Sequence, residues 1–555
     1  MTRRYVPFVM LAAMGMPAMA QGTVNIDSRS MTIEGEYRPT ITQAYKIAAE
    51  PAPFEPVKQK TAVSYLNDPV SFPFGSSPSL YVLSETSDSL YRNRWWGIAS
   101  LGYGLRNLGN ANLDAGFDLT KNSQVRLQGN MGGWNTETLN EWRSRMRMGD
   151  INAQYTFTGE KLNLGVNAGY MGDRHNYMAG SKMTDAISAN SHMYETQHSA
   201  MVGADVQVNI SDVRVNADAS LVSTSKSGLV VNGREADGRE NIVRVNTEAS
   251  FPLKDNTLGI HVNWKGVVQD RVAENGDKYR NTNTISLVPY WSWYRWRIEA
   301  KLGMNIDFRI NQHYNFLISP QATAIVRFRD DLNFFTSVTG GNVDYDMYHL
   351  NGISPYWSDE KRIEDGYKLL DMCGGIFYHP DTWVSLSIKA GYRNTLWEVF
   401  QVRCDSAVVT SQMKQETSNV FYAGFATDMV ISRYAQLRGE LEYNFYKGKY
   451  LGDKMALKPL IDASVYVTAK PMNNLDVTAD YRLMYFNVVR NRRMQTVNDL
   501  TVRADYRLNL PAVPACLRSM SAFVEGEHLL GSGFYYWAGY PCIKPGFTLG
   551  AVYRF

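Results

Sequence analysis

Residues Pro545–Phe555 read Pro-Gly-Phe-Thr-Leu-Gly-Ala-Val-Tyr-Arg-Phe. Phe547, Leu549, Ala551, Tyr553 and Phe555 fall on one parity, and Thr548, Gly550, Val552 and Arg554 on the other. A period of two describes a β-strand with one apolar face and one mixed, mostly small or polar face. The chain stops on this strand with no polar tail to cover it. An apolar strand edge in water invites pairing with other chains. A sheet spanning lipid must close on itself, so that its last strand pairs with its first and no edge remains. The stretch therefore predicts an all-β protein, a transmembrane antiparallel β-barrel.

The other end of the chain agrees. Met1–Ala20 begins with Arg3 and Arg4, continues through an apolar run and exits at Ala18-Met19-Ala20. This is the pattern of a Sec signal peptide, residues 1–20, cleaved after Ala20. No cysteine follows the cut, which argues against a lipoprotein. The formal charge of +3 falls to about +1 once Arg3 and Arg4 are gone, so no nucleic acid or other polyanion is implied as a partner. No window approaches the roughly 20 apolar residues of a membrane-spanning helix. Cys373, Cys404, Cys516 and Cys542 show no C-x-x-C spacing, and neither metal nor redox chemistry is indicated.

Residues 21–91 hold seven of the 20 prolines. Proline removes ladder donors, so this stretch cannot be a run of barrel strands. Only 41–49 has a helical texture. The segment 21–91 reads as a short Pro-rich periplasmic or luminal lead-in.

From Arg92 the texture changes, and 92–555 reads as the barrel. Alternating segments are joined by connections that are in turn short and long, as in outer-membrane barrels. Short turns are expected at 120–123, 158–161, 211–212, 254–256, 290–293, 329–331, 379–382, 432–433, 471–474 and 511–515. Longer connections are expected notably at 172–191, 224–238, 340–365, 394–416 and 531–543. Ten short turns on the periplasmic side and eleven loops outside give about 22 strands, with both barrel ends in the periplasm.

The strands 433–446, 474–485 and 499–508 each set an apolar face against a charged one. Arg438, Glu440, Glu442, Asp476, Asp480, Arg482, Arg503, Asp505 and Arg507 are predicted to face the lumen. Opposite charges facing across a ladder add up to about 1 kcal/mol per pair. Their mixed sign argues for a charge-paired wall over an ion-selective ring. Arg143, Arg145 and Arg147 share the parity of Ile151, Ala153, Tyr155 and Phe157, so they should point outward. At the outer rim they could contact lipid phosphates, for which Arg is suited; a β-bulge would instead turn them inward. Trp291, Trp293, Tyr294 and Trp296 read as a periplasmic girdle. Tyr345, Tyr348, Tyr356 and Trp357, with Phe534–Trp537 and Tyr540, give aromatic loops suited to packing or to stacking a ligand. No catalytic constellation emerges and no cofactor is implied. His192 and His198 would lie about 20 Å apart on a strand, too far to share a metal.

The final hairpin, Val524–Phe555, carries an aromatic loop (Tyr535–Trp537), Gly539-Tyr540-Pro541, Pro545-Gly546 and the terminal Phe555. These elements resemble the end of a TonB-dependent outer-membrane receptor. Tyr553 and Phe555 also resemble the terminal signal that the barrel-assembly machinery of Gram-negative bacteria reads. The resemblance implies an integral outer-membrane transport protein, not an enzyme, with outer-membrane lipid and the assembly machinery as partners. Residues 21–91 are fewer than that family's globular plug needs. The lumen is then open, filled by 21–91 and long loops, or occupied by a plug or periplasmic partner. Two functions follow: passage of a solute through a receptor-like or porin-like barrel, or a non-transporting scaffold that presents surface loops or binds a periplasmic partner.

Overall fold

The computed structural model describes residues 95–555 except 106–108, 139–141, 190–191, 211–212, 229, 232–233, 236, 255, 275, 382, 448–457, 487–495, 509–519 and 532–533. The leader 1–20, the segment 21–91 and the expected turns 211–212 and 511–515 lie outside the described residues. Twenty-two antiparallel strands form one closed sheet. The first seven are β1 (Trp95–Gly104), β2 (Gly109–Thr120), β3 (Ser123–Glu137), β4 (Arg143–Thr158), β5 (Leu162–Asn176), β6 (Tyr194–Ile210) and β7 (Val213–Ser227). Next come β8 (Gly238–Leu253), β9 (Asn256–Asp270), β10 (Thr282–Arg295), β11 (Ile298–Ile310), β12 (Phe316–Arg329) and β13 (Leu332–Val343). Then follow β14 (Gly366–Asp381), β15 (Val384–Asp405), β16 (Val409–Ser432), β17 (Ala435–Lys447) and β18 (Ile461–Met472). The last four are β19 (Leu475–Tyr485), β20 (Thr496–Arg507), β21 (Met520–Glu527) and β22 (Gly546–Arg554).

Successive strands pair in order, and β22 closes on β1 from Ile98↔Arg554 to Gly104↔Thr548. The start of β1 and the end of β22 thus meet at one end, which the described short turns share. The outward parity is apolar: Leu101, Leu549, Ile151 and Ile388 are each more than half exposed. On β22 the inward Thr548 and Val552 are buried between them. With strands about 4.8 Å apart and tilted by about 40°, such a barrel is roughly 40 Å across.

Two expected connections are strand instead. The turn expected at 290–293 lies five residues later, between Arg295 and Ile298, where Trp296 adopts φ 62°. Pro289 has no N–H to give, and the ladder to β11 pauses between Leu287 and Tyr290 before resuming. The rings of Trp291 and Trp293 pack at 4.7 Å, tilted by 34°, beside this turn, with Tyr294 and Trp296 exposed. The loop expected at 394–416 is a continuation of β15 and β16, which pair out to Asp405↔Val409. At 22 and 24 residues these strands are about twice what a bilayer needs. Their register slips between Thr395 and Glu398, where Trp397 has φ 53°. A bulge of this kind bends a ladder, and here the outer part of the hairpin folds over the mouth.

Closure rests on a missing side chain. Gly97 and Phe555 exchange both backbone hydrogen bonds at 2.9 Å. A Cβ on Gly97 would stand 2.4 Å from the Phe555 ring, which lies flat over it between Trp95 and Tyr553. Gly97→Val should overpack this seam by about 1–3 kcal/mol, lowering the heat-modifiable folded band on unheated gels. Deletion of Phe555 should do the same, and normal assembly of both variants would contradict this account of closure.

Candidate functional site

The predicted luminal charges lie on the inward parity, opposite exposed Leu441, Tyr443 and Phe445. Most are paired on the wall. Arg438 meets Asp428 at 3.0 Å and Glu442 meets Lys389 at 3.4 Å. Asp476 binds Arg507 at 3.0 Å, Arg482 binds Asp462 at 2.8 Å, and Arg503 holds Asp505 at 2.8 Å and Glu525 at 3.3 Å. Glu440 and Asp480 face the lumen outside any of these pairs. These residues do not converge on one site.

A different set does converge. The connection 344–365 between β13 and β14 folds inside the barrel against the inward faces of β6 to β11. Lys265 on β9 meets Asp344 at 2.7 Å, Asp365 at 3.0 Å and Asp346 at 3.5 Å. Arg244 on β8 reaches Asp346 at 2.6 Å and Asp344 at 3.1 Å. Arg271 bonds Glu240 at 3.3 Å and Asp359 at 3.0 Å, with its guanidinium 4.0 Å over the Tyr279 ring. Lys226 on β7 pairs with Glu195 at 3.1 Å, donates to the Trp357 carbonyl at 2.7 Å and lies 4.1 Å over the Trp357 ring. Asp346 also caps the short helix Met347–Ile353, accepting from the His349 N–H at 3.1 Å. That is the role in which Asp is favoured, because it satisfies an orphan donor of the first turn.

Above this ionic layer lies an apolar one. Met347, Leu350, Trp357 and Ile363 of the loop pack with Val399 and Met413 of the long hairpin. The segment Trp357–Asp359 pairs in parallel with Ser411–Met413 of β16. Tyr356 stacks on Tyr540 of the last loop at 3.5 Å and 8°, and Trp142, Trp537 and His175 pack edge-on around it. Gly539, at φ 95°, makes this approach possible, since a Cβ there would meet Val409 Cγ1 at 2.6 Å. Ser411 Oγ donates to the Ala538 carbonyl at 3.0 Å, and the Val409 N–H to Met178 at 2.9 Å. Of the rings that the sequence offered as a stacking platform, Tyr356, Trp537 and Tyr540 are engaged with one another. Tyr356 follows β13 and Trp142 follows β3, ten strands apart in a ring of 22, so the contact crosses the barrel. The loops build a roof.

Beneath the roof is a polar cavity of about 360 Å³, lined by Asn246, Asn263, Ser286, Asn305, Gln321 and Asn342, with Arg244, Lys265 and Asp344 at its edge. Asn263 Oδ1 and Asn342 Oδ1 accept no hydrogen bond from the described residues. Asp344, Asp346 and His349 place one ligand atom each within 4.8 Å of one another. Lys265 and Arg244 already neutralise that corner, which favours a latch over a metal centre. The sequence reading passed over these residues, although Glu240, Arg244 and Lys265 carry the inward-parity charge used on β17 to β20. What no spacing reveals is that the acids of a loop some hundred residues later fold back onto them.

Burial alone would raise the carboxyls of Asp344 and Asp346, but Lys265 and Arg244 hold both below the ordinary value, and His349 helps. Burial lowers the His349 imidazole, yet the Asp346 hydrogen bond and charge raise it overall. The two acids add docking stability that is full above about pH 3.9 and is lost as pH falls through their lowered values. His349 adds stability that is full below about pH 6.5 and is lost as pH rises through its raised value. Protection from hydrogen exchange across 344–365, after correction for the intrinsic pH dependence of amide exchange, should therefore be greatest between these limits. Asp346→Ala removes the cap and breaks a buried pair, at a cost of about 3–5 kcal/mol. It should speed exchange of this loop at every pH, and unchanged exchange would refute the latch.

No family model and no curated protein sequence matches the chain. Solved structures do. The ferric enterobactin receptor PfeA of Pseudomonas aeruginosa superposes with a TM-score of 0.64 at 11% identity, over 84% of this chain and 82% of its own. The siderophore receptor PirA of Acinetobacter baumannii gives 0.63 at 11%, over 84% and 81%. The ferric-catecholate import receptor Fiu of E. coli K12 gives 0.59 at 10%, over 84% and 82%. At such identities the likeness is one of fold. This chain has the 22-stranded outer-membrane barrel fold of the TonB-dependent receptors.

Proposed function

We propose that the protein is a gated outer-membrane transport barrel that admits a polar solute beneath a roof of extracellular loops. The observation that carries this reading is the roof itself, tied to the wall by buried ion pairs above an amide-rich cavity. A porin needs no such lid, and a solid anchor needs no cavity beneath it. Asn, Ser and Gln around the cavity suit a solute with several hydroxyl or amide groups, since unspent amide oxygens find donors there. The luminal charges of β17 to β20 act in this reading as a paired wall, and mixed sign leaves little ion selectivity.

Export by the leader 1–20 and insertion by the assembly machinery, with Tyr553 and Phe555 as the terminal signal, belong to the same proposal. So does a stopper on the periplasmic side, either the segment 21–91 or a plug partner. TonB-energised uptake is what the receptor fold suggests. The alternative, a scaffold presenting its loops, draws support from the close packing of those same loops.

Single-channel recording separates the two. The mature protein should conduct little, whereas Asp346→Ala combined with removal of 21–91 should give large, steady openings. Large conductance in the unaltered protein would overturn the gate, and silence in every variant would favour the scaffold.

A further inference from the structure

The outer rim of β4 and β5 carries a cluster of charge that the roof does not use. Arg143, Arg145 and Arg147 alternate on β4 with Ser144 and Met146, which are buried inward. The β3–β4 ladder runs unbroken from Ser123↔Phe157 to Glu137↔Arg143. No bulge reverses the parity, and the three arginines point outward. Arg174 on β5 stands directly opposite Arg147, exposed, with His175 buried behind it. Like charges facing across a ladder repel each other. Among the described residues none of the four belongs to an ion pair. The outward carboxylate opposite Arg143, Glu137, is met by Lys544 at 3.5 Å.

The guanidinium groups are nonetheless held in place. Arg145 Nη1 donates to the Tyr194 hydroxyl, and Arg174 lies 5.3 Å over the same ring. Arg143 Nε donates to Asn135 Oδ1 at 2.9 Å. Asn176 accepts from the Arg145 N–H at 2.7 Å and donates to the Arg143 carbonyl at 3.0 Å, stiffening the end of β4.

Their depth identifies what they face. Below them the outward side of β4 is Ile151, Ala153, Tyr155 and Phe157. Ten residues separate Phe157 from Arg147, about 33 Å along a strand, which a tilt of about 40° reduces to roughly the 25 Å of an outer-membrane apolar band. Tyr170 lies opposite Ile151 with its hydroxyl 2.5 Å from His198 Nδ1, a polar pair just under the arginines. The Arg147–Arg174 pair therefore sits at the level of lipid headgroups.

We propose that Arg143, Arg145, Arg147 and Arg174 bind the phosphate groups of the glycolipid in the outer leaflet. Arg147 and Arg174 bracket one phosphate by bidentate hydrogen bonds, and Arg143 and Arg145 continue the site upward. The anion relieves the repulsion between facing arginines.

Native mass spectrometry of the full-length mature protein with bis-phosphorylated lipid A, its dephosphorylated form and inorganic phosphate tests this. The protein should retain the phosphorylated lipid at least about tenfold better than the dephosphorylated one, and Arg147→Gln/Arg174→Gln should lose about tenfold. Inorganic phosphate at equal concentration should not displace the lipid. The heat-modifiable band confirms assembly of each variant, and the single Gln variants serve if the double one does not fold. Equal retention of the two lipids, unchanged retention in the folded variants, or displacement by inorganic phosphate would each overturn the proposal.

Discussion

No hydrogen-bonding edge of a sheet can face hydrocarbon, and the architecture follows from meeting that constraint. A buried backbone group without a partner costs several kcal/mol in lipid, so the strand ending at Arg554 must find the strand beginning at Trp95. Antiparallel closure makes the strand number even and puts the start of β1, the end of β22 and the described short turns at one end. The alternate connections then share the opposite end by necessity. The Gly97–Phe555 contact is where this global demand becomes local: two backbones pair fully only because one residue has no side chain.

Closing 22 strands creates a second problem. Side chains fill a barrel of about eight strands, whereas one of 22 leaves a lumen that other chain must occupy. Here the described chain answers from above, with a loop that is ionic below and aromatic on top. Burying Lys265 or Arg244 alone would be costly, and each is repaid only when every charge finds its partners. Asp346 satisfies a helix N–H, two cations and His349 at once. The arrangement is therefore cooperative, since losing one carboxylate leaves several neighbours uncompensated.

Much of the barrel was legible because lipid imposes a strict rule. Strands facing hydrocarbon outside and water inside must alternate, and Leu441-Glu442-Tyr443 or Asp480-Tyr481-Arg482 states this plainly. The rule lapses where strands leave the bilayer. Glu398–Asp405 pairs with Val409–Glu416 as regularly as any membrane strand, yet this part of the hairpin packs on Met347, Trp357 and Tyr540 in place of lipid, and the sequence there reads as loop. The candidate site was illegible for a related reason. The partners Lys265 and Asp365 are a hundred residues apart, and only the topology brings them to 3.0 Å. Arg143, Arg145 and Arg147 kept the parity of the residues below them, so their orientation was readable, whereas Arg174 entered only through the register of β4 on β5.

The roof's geometry also constrains how it can open. Tyr356 and Tyr540 belong to loops after β13 and β21, and Val408 and Val409 to the tip of the hairpin after β15. Together with Met146, Tyr177 and Trp537 these groups form one buried cluster. Each gains its burial from the others, so displacing one exposes apolar surface on all, at about 25 cal/mol per Å². Piecemeal opening would incur that penalty repeatedly, whereas concerted movement incurs it once. The ionic layer beneath is largely buried, so a departing carboxylate leaves Lys265 or Arg244 uncompensated. The aromatic layer therefore joins the loops into one body and the ion pairs set where that body rests, so in the proposed gate a solute competing for Lys265 or Arg244 would act on the whole roof.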